Sequence, residues 1–473
     1  MSTESPRVVV VGAGITGLAA AHRLAASAPG ADMTVLEAEQ RIGGKIRTEQ
    51  FAGRALDVGA EALLARVPDA IGLCRELGLG EDLIAPVSDR PYVWTDRLRP
   101  LPPRLMAGAP GGAAALLRSG ILSPAGLARA SLDLVLPSRA PVHDVPIGRI
   151  VRNRLGSQAY QRLVDPLLGG IHAGSCDELS AAATAPQLGA ALGRGRGLVR
   201  GLRELVPAPA PGAPPPVFLT LRGGLGGLVG ELRSRLGDAE LRTGATVRAL
   251  HRRPAGGWTV TLDDGEELDA GVVMLAVPAH VAADLLAAEL PGAACELSAI
   301  SYASVATIAL SYPPGSVPRP LQGSGFLVSR EQRRTITACT WSSSKWAQLA
   351  GESVLLKCSV GHSRDRSALD LEDEALVDAV RADLATSMGL RAEPLEQRVF
   401  RFESALPQYA VGHRDRVSRI EHALRGAPGL ILCGAAYRGV GVASCIVDGR
   451  AAADRAVGFL GAAAGDGASL ISQ

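Results

Sequence analysis

Aromatic residues are scarce in this 473-residue chain: tryptophan, tyrosine and phenylalanine together account for 3% of it. This scarcity disfavours the aromatic stacking platforms on which proteins bind single-stranded nucleic acid. The formal net charge is only +2, so the global charge balance favours neither nucleic acid nor an anionic membrane as a partner. With 47% hydrophobic and 20% charged residues, the composition is ordinary for a soluble globular protein.

The chain also lacks clustered cysteines and long apolar runs. Its seven cysteines are scattered, odd in number and never in C-x-x-C spacing, a pattern that favours reduced thiols and a cytoplasmic location. No histidine–cysteine cluster has metal-ligand spacing, so we expect no bound metal. The apolar run that comes nearest to the length of a membrane span, residues 105–117, is short and interrupted by Pro110, so it cannot span a bilayer. It could still lie on a membrane surface or line an apolar pocket.

A strand, a glycine-rich turn and a helix are predicted at the start of the chain. Residues 8–11 are four valines, residues 12–17 read Gly-Ala-Gly-Ile-Thr-Gly, and an alanine-rich amphipathic run follows. This G-x-G-x-x-G spacing permits close approach of the backbone to a pyrophosphate at a helix N-terminus. A second predicted strand ends in Glu37, 20 residues after Gly17, where a carboxylate can accept from a ribose 2′-hydroxyl. We predict a dinucleotide site, in preference to a plain strand–turn–helix unit.

Two further glycine-rich stretches suit a cofactor-binding backbone. Arg41-Ile-Gly-Gly44 lies just after the acidic strand end, and a simple loop turn is the alternative reading. Near the C-terminus, residues 429–434 predict a strand, followed by a glycine loop and a helix from about residue 444 to 460. This late unit either closes the sheet or directs a helix N-terminus at the cofactor. Arginines between residues 194 and 203 either form a solvated face or face an anion.

The predicted fold class is α/β, with a discontinuous Rossmann-like nucleotide-binding domain and a substrate domain made of a mixed β-sheet plus helices. Prolines bracket helical stretches in the first half of the chain, and a proline-rich segment at residues 207–216 predicts an exposed extended loop. Three separate segments make up the predicted nucleotide-binding domain, residues 1–86, 217–297 and 406–473. A helical insertion on the substrate or membrane side (87–206) follows the first segment, and the mixed-sheet substrate domain (298–405) follows the second.

Together these motifs resemble the flavin amine oxidase-like superfamily, and within it the bacterial coproporphyrinogen III oxidases of haem synthesis. The resemblance runs in consistent order over nearly the whole chain. Besides the N-terminal fingerprint, the Glu37 strand and Arg41-Ile-Gly-Gly44, it is carried by Asp165-Pro-Leu-Leu-Gly-Gly-Ile-His-Ala-Gly174, Gly323-Ser-Gly-Phe-Leu-Val-Ser-Arg330, Ile336-Thr-Ala-Cys-Thr-Trp341, Ala405-Leu-Pro-Gln-Tyr409, Val411-Gly-His413 and Gly439-Val-Gly-Val442.

The resemblance implies FAD as the cofactor. The contacts that it implies are Gly12, Ala13, Gly14, Ile15, Thr16, Gly17, Glu37, Ala38, Gly44, Lys45, Gly59, Ala60, Glu61, Ala62, Val247, Gly434, Val440, Gly441 and Val442. The chain departs from the family at residues 59–62, which read Gly-Ala-Glu-Ala where these enzymes more often have Gly-Pro-Asp-Ser. It also has Ala443 and Ser444 in place of a usual Pro-Asp, and Ser359 where relatives can carry tyrosine.

The activity implied is oxidation of coproporphyrinogen III to coproporphyrin III in three two-electron steps. Each step passes a hydride to the flavin, and dioxygen is reduced to hydrogen peroxide. No catalytic acid or base is expected, and His172 is interpreted as structural. Four propionates on the substrate suggest arginine clamps, with Arg66 as the candidate and a surface role as the alternative. Gly170 and Ile171 are candidates for the pocket wall, with core packing of Ile171 as the alternative.

The partners implied are the porphyrinogen and dioxygen, with transient ferrochelatase contact and at most peripheral membrane contact. Protoporphyrinogen IX oxidase is the closest alternative activity. An amine oxidase or a carotenoid desaturase is more distant, since amine oxidases typically need an aromatic cage for which this chain offers little material. A flavin-binding scaffold without turnover is the alternative outside the enzymes.

Overall fold

The computed structural model describes residues 7–102, 105–106, 109–110, 113–205 and 216–469. The apolar run at 105–117 lies partly outside these residues, and the proline-rich segment at 207–216 almost wholly outside. The described strands are β1 Val8–Val11, β2 Met33–Glu37, β3 Thr48–Phe51, β4 Arg54–Asp57, β5 Leu63–Leu64, β6 Leu83–Ile84, β7 Pro91–Trp94, β8 Leu98–Pro100, β9 Leu105–Met106, β10 Ala109–Pro110, β11 Phe218–Leu221, β12 Glu240–Thr243, β13 Val247–Arg252, β14 Trp258–Leu262, β15 Glu267–Ala270, β16 Val272–Leu275, β17 Tyr302–Tyr312, β18 Gly325–Val328, β19 Ile336–Thr340, β20 Val354–Val360, β21 Glu396–Pro407 and β22 Leu430–Leu432.

Helices make up a large part of the remaining described chain. They are α1 Ile15–Ser27, α2 Pro68–Glu76, α3 Ala113–Ser119, α4 Pro124–Ser131, α5 Ile147–Leu155, α6 Ser157–Ala159, α7 Gly170–His172, α8 Ala181–Thr184, α9 Pro186–Gly193, α10 Leu198–Leu205, α11 Gly226–Ser234, α12 Ala279–Leu286, α13 Pro291–Ser298, α14 Ser342–Lys345, α15 Asp373–Met388, α16 His413–Leu424 and α17 Val442–Ser469. A π-helical stretch at Tyr160–Gly169, with Pro166 inside it, connects α6 to α7.

A five-stranded parallel sheet, in the order β12-β2-β1-β16-β22, lies between two hydrophobic cores. The valines of β1 are buried and alternate between those cores. Val8 and Val10 pack with α1 and α17, whereas Val9 and Val11 pack with the β13–β15 sheet and α12. Burial on both faces explains the uninterrupted β-branched run. The prediction that this sheet resumes late in the chain is confirmed, because β12, β16 and β22 complete it.

A second sheet has seven strands in the order β21-β17-β20-β19-β18-β7-β8. Most of its strands belong to the predicted substrate domain. Its neighbouring strands are antiparallel except for β18 and β7. The mixed β-sheet predicted for the substrate domain is confirmed, because β17, β18, β19 and β20 lie between residues 298 and 405.

The prediction of a helical insertion over 87–206 is wrong at its beginning. Residues 91–94 and 98–100 are β7 and β8 of the seven-stranded sheet, and Pro91 is tolerated because it is the first residue of its strand. Tyr92, Val93 and Trp94 have the aromatic and β-branched character of a strand. The prolines on either side of this segment led the prediction away from a strand. Beyond Ala113 the described insertion is helical as expected and has its own core. The exact domain boundaries stay a prediction.

Strand β21 and helix α16 are among the elements that the sequence did not predict. Strand β21 alternates charged and apolar residues at the edge of the seven-stranded sheet, and it crosses the predicted boundary at residue 405. Helix α16 is strongly polar, so its apolar stripe is weak in the sequence. Across the described residues, no helix combines the length and apolarity needed to cross a membrane.

Candidate cofactor and substrate site

The turn after β1 is built for close backbone approach. The Gly12 amide donates to the Leu36 carbonyl at 2.7 Å, which joins the turn to β2. Gly12 has a φ of +100°, and a Cβ there would lie 2.7 Å from the Ala276 carbonyl oxygen. A Cβ on Gly17 would lie 1.9 Å from the Gly12 carbonyl oxygen. Both positions therefore require glycine for the turn itself to form.

The N-terminus of α1 fits the phosphates of a dinucleotide. Gly14 is its N-cap, no side chain caps the free amides, and the first turn contains no acidic residue. A Cβ added at Gly14 would meet no protein atom within 4 Å, so the space in front of these amides is open. Unpaired amides and the positive end of the helix dipole favour an anion there. The predicted contacts Ala13, Ile15 and Thr16 lie in the same turn and are buried.

Glu37 lies at the end of β2 beside this turn. One of its carboxylate oxygens accepts from the Ala13 amide at 2.8 Å, and the other accepts from the Glu39 amide at 2.9 Å. A carboxylate oxygen has lone pairs left after one hydrogen bond, so Glu37 can also accept from a ribose hydroxyl. The neighbouring Ala38 is exposed. Val247 begins β13 close by, because the Ala245 amide donates to the Glu37 carbonyl at 2.9 Å.

Three backbone stretches run side by side to form one cradle, residues 12–17, 43–45 and 59–62. The Gly43 amide donates to the Ala13 carbonyl at 2.8 Å, and a Cβ on Gly44 would lie 3.2 Å from the Gly14 Cα. The Ala60 amide donates to the Lys45 carbonyl at 3.0 Å, which aligns the third stretch. The structure thus brings the predicted contacts of these stretches together.

Glu61, in the third stretch, makes contacts that sequence reasoning did not anticipate. Its carboxylate is ion-paired with both Lys345 and Lys357. Burial alone would raise the pKa of Glu61, but these two ammonium groups hold it well below its ordinary value. In the preceding strand, burial raises the pKa of Asp57 to about 6, against hydrogen bonds from the Thr48 hydroxyl and the Leu225 amide.

The loop between β22 and α17 contains the last group of predicted cofactor contacts. Its Gly434 amide donates to the Asp448 carboxylate at 2.8 Å. Predicted contacts Val440, Gly441 and Val442 are half-buried, and α17 begins at Val442, two residues before the predicted start. A Cβ at Gly434 or Gly441 would meet no protein atom within 4 Å, so open space adjoins this loop.

Tyr409, two residues after the end of β21, holds this loop in place. Its hydroxyl donates to the Ala435 carbonyl at 2.6 Å and accepts from the Gly439 amide at 2.7 Å. Its ring stacks on His413, with centroids 3.9 Å apart, and lies 5.7 Å from the His172 ring. Sequence reasoning included Tyr409 only within a family segment, because nothing local in the sequence indicates which loop its hydroxyl reaches.

His172 and His413 are buried beside Tyr409, and burial lowers the pKa of each to about 4. The Nδ1 atom of each ring has no hydrogen-bond partner among the described atoms. Both imidazoles are therefore neutral at pH 7, which agrees with the structural role expected of His172.

The candidate substrate residues lie away from the glycine turn. Arg66 is exposed, between β5 and α2. Gly170 and Ile171 follow the π-helical stretch, and Ile171 is 59% exposed. Such exposure disfavours the core-packing alternative for Ile171. Its place in the pocket wall stays a prediction. The structure gives no contact that joins Arg66 to this segment among the described residues.

Comparisons with known proteins agree with this architecture. The family model described as "Flavin containing amine oxidoreductase" matches residues 15–457. The Bacillus subtilis (strain 168) protein named coproporphyrinogen III oxidase is 35% identical over 97% of this chain and 100% of its own length. The Mycobacterium leprae protein of that name is 38% identical over 95% of this chain and 96% of its own. Tobacco chloroplastic protoporphyrinogen oxidase is 28% identical over 96% of this chain and 85% of its own.

Among solved structures, a protein from Exiguobacterium sp. 255-15, assigned as a protoporphyrinogen oxidase, superposes with a TM-score of 0.86. It is 32% identical, and the match covers 97% of this chain and 99% of that one. The overall fold is therefore shared with that protein over nearly the whole of both chains.

Proposed function

Because this chain belongs to the flavin-containing amine oxidoreductase family, we propose that it binds FAD and oxidises coproporphyrinogen III to coproporphyrin III with dioxygen as the electron acceptor. The observation that carries this proposal is that the chain matches coproporphyrinogen III oxidases over nearly its whole length, at 35–38% identity. The open glycine cradle supports the cofactor assignment. The reaction removes six electrons and six protons from the macrocycle and forms three molecules of hydrogen peroxide from three of dioxygen.

Bound FAD supplies a two-electron acceptor that passes its electrons to dioxygen. The chain's own residues hold and orient that group. The amides at the start of α1 bind the pyrophosphate, Glu37 accepts from the ribose, and the backbone at 43–45 and 59–62 supports the remaining length. No side chain is assigned as a general acid or base. Solvent accepts the protons that leave the macrocycle and supplies those needed to form hydrogen peroxide.

The loop held by Tyr409 has an electrostatic role in this account. Its two hydrogen bonds fix residues 435–439 immediately before α17, whose first turn contains no acidic residue. A helix N-terminus stabilises nearby negative charge by about 0.3–2 kcal/mol, depending on exposure. We assign to it the negative charge that arises when the cofactor accepts electrons.

Arg66 is the proposed clamp for a substrate propionate. Replacing it with alanine is expected to raise the KM for coproporphyrinogen about two- to fivefold and to leave kcat nearly unchanged, because a solvent-exposed ion pair contributes about 0.2–1 kcal/mol. Steady-state kinetics of Arg66→Ala measure this effect. Arg75→Ala, which removes an exposed charge from α2, is the matched control. An unchanged KM for the Arg66 variant removes the assignment.

Protoporphyrinogen IX oxidase is the second candidate, favoured by the similarity to the Exiguobacterium and tobacco proteins. The two substrates differ in having two propionates or two vinyl groups at the same ring positions. Mixing each porphyrinogen with the protein under anaerobic conditions tests both activities. We expect the yellow colour of the flavin to bleach faster with coproporphyrinogen III. Faster bleaching with protoporphyrinogen IX favours the second candidate, and no bleaching with either indicates a scaffold without turnover.

We propose a cytoplasmic location for the protein. Its helical insertion is the proposed surface for peripheral membrane contact. Val135 and Leu136 are 77% and 42% exposed, and they line a groove of about 720 Å³ together with Arg196, Arg200 and Arg203. Exposed apolar groups next to arginines suit an anionic lipid surface.

Transient contact with ferrochelatase is proposed from the resemblance to the haem-synthesis enzymes. Transfer of the porphyrin product between the two purified proteins tests this contact.

A further inference from the structure

Lysine is almost absent from this chain: only three of its 49 lysines and arginines are lysine. All three belong to one region of the fold. Lys45 lies in the cradle, where its carbonyl accepts from the Ala60 amide, and Lys345 and Lys357 pair with Glu61 one residue further along. A chain that has arginine at nearly every other basic position therefore has its lysines beside the proposed cofactor.

The two lysines reach Glu61 from separate elements of the seven-stranded lobe. Lys357 lies within β20 and Lys345 ends α14, and their side chains are only 7% and 16% exposed. Lys357 also donates to the Asp57 carbonyl at 2.9 Å. Each ammonium pairs with a different oxygen of the Glu61 carboxylate, and all three side chains are largely buried.

Without Lys345 and Lys357, the Glu61 carboxylate of the cradle would lose both of its ion-pair partners. Asp57 and Glu61 are both buried or half-buried acids, four residues apart, on the strand and turn that lead past Lys45. Charges inside a protein interact far more strongly than in water. An anionic turn would oppose any further negative charge in the site, and two-electron reduction of a flavin adds negative charge.

Lysine suits this position for a physical reason. An ammonium is a compact point charge on a flexible stem, so two of them can each bind one oxygen of a single carboxylate. An arginine fork typically occupies both oxygens at once. We infer that Lys345 and Lys357 are positioning residues that offset the acids of this turn and thereby raise the reduction potential of the bound FAD. This inference rests on the proposed contact between residues 59–62 and the cofactor.

The test is the two-electron reduction potential of the purified holoprotein. It is measured by slow reduction with xanthine and xanthine oxidase beside a reference dye, without any porphyrinogen. For Lys357→Met and Lys345→Met we expect the ratio of reduced to oxidised flavin at a fixed potential to fall about tenfold, the order expected for one unit charge close to the ring. For a two-electron couple this corresponds to a potential about 30 mV more negative.

Controls separate charge from packing. Lys357→Arg and Lys345→Arg retain the charge and are expected to keep the wild-type potential. Arg235→Met removes an exposed charge just after α11 and is expected to leave the potential unchanged. A potential equal to wild type in Met variants that hold FAD overturns the inference. Loss of FAD from both Met variants also overturns it, because the lysines would then retain the cofactor rather than tune it.

Failure of the proposed function gives a different result. If the holoprotein binds FAD but oxidises no porphyrinogen, the substrate assignment fails, yet the potentials of the Met variants still decide the inference. If the potentials do not respond while coproporphyrinogen is oxidised, the inference fails and the function stands.

Discussion

Replacing Gly14 with alanine is expected to yield a folded protein that binds FAD about 10- to 100-fold more weakly. In the protein alone, the new methyl group would meet no atom within 4 Å, and the backbone of Gly14 is extended, so alanine can adopt it. The methyl would lie at the N-cap of α1, where the pyrophosphate approaches. Losing one charge-assisted hydrogen bond costs about 1.5–3 kcal/mol, which gives this range of affinities.

Equilibrium dialysis of the apoprotein against FAD measures the change. Gly30→Ala is the matched control, because it also adds a methyl into open space but lies in the loop after α1. Circular dichroism and the thermal midpoint of the apoprotein check that Gly14→Ala folds. Wild-type affinity in a folded Gly14→Ala protein would contradict the placement of the phosphates at this helix. Gly17→Ala cannot serve here, since its methyl would collide with the turn itself.

Acidification from pH 7 to 5.5 is expected to destabilise the protein by about 2 kcal/mol through His172 and His413. Their pKa values are lowered from 6.5 to about 4 in the native state, so between these values only the unfolded chain takes up the protons. Stability from these histidines is fully present above pH 6.5 and is lost as the pH falls towards 4. Burial lowers the pKa of His22 and His362 as well, which acts in the same direction.

Asp57 opposes this trend. Its raised pKa, about 6, means that the native state takes up a proton before the unfolded chain does, so acidification through pH 6 favours folding there. One residue of this kind offsets less than half of the effect of the two histidines over this interval, by the same linkage. The net change is therefore still a loss of stability.

Urea unfolding of the apoprotein, followed at several pH values and constant ionic strength, measures this dependence. The double variant His172→Gln with His413→Gln is expected to have a much flatter pH profile, although it begins from a lower stability. His143→Gln, at an exposed histidine, is expected to keep the wild-type profile. A double variant as acid-sensitive as the wild type would place the titrating groups elsewhere.

Local sequence pattern was sufficient for the nucleotide-binding half of the fold. Four consecutive valines require burial on both faces, and Gly12 and Gly17 have spacing that only a tight turn explains. The late return of the sheet at β22 followed from its apolar run and flanking glycines. These features are local, so neighbouring residues determine them and the sequence displays them directly.

Features that depend on distant partners were not accessible in this way. Pro91 begins a strand because β18 lies beside it, and β21 is an edge strand whose charged face obscures its pattern. Glu61 meets lysines that are 284 and 296 positions away in sequence. Tyr409 reaches a loop 26 residues further along. Only the tertiary fold brings such groups together, and no spacing in the sequence records it.

The central claim is tested most directly by an aerobic assay of the purified yellow protein. Coproporphyrinogen III and protoporphyrinogen IX are supplied separately, product fluorescence is followed, and hydrogen peroxide is measured alongside. The proposed function predicts faster oxidation of coproporphyrinogen III, with three molecules of peroxide formed for each coproporphyrin. No fluorescence above the non-enzymatic rate, or porphyrin formed without peroxide, would contradict it.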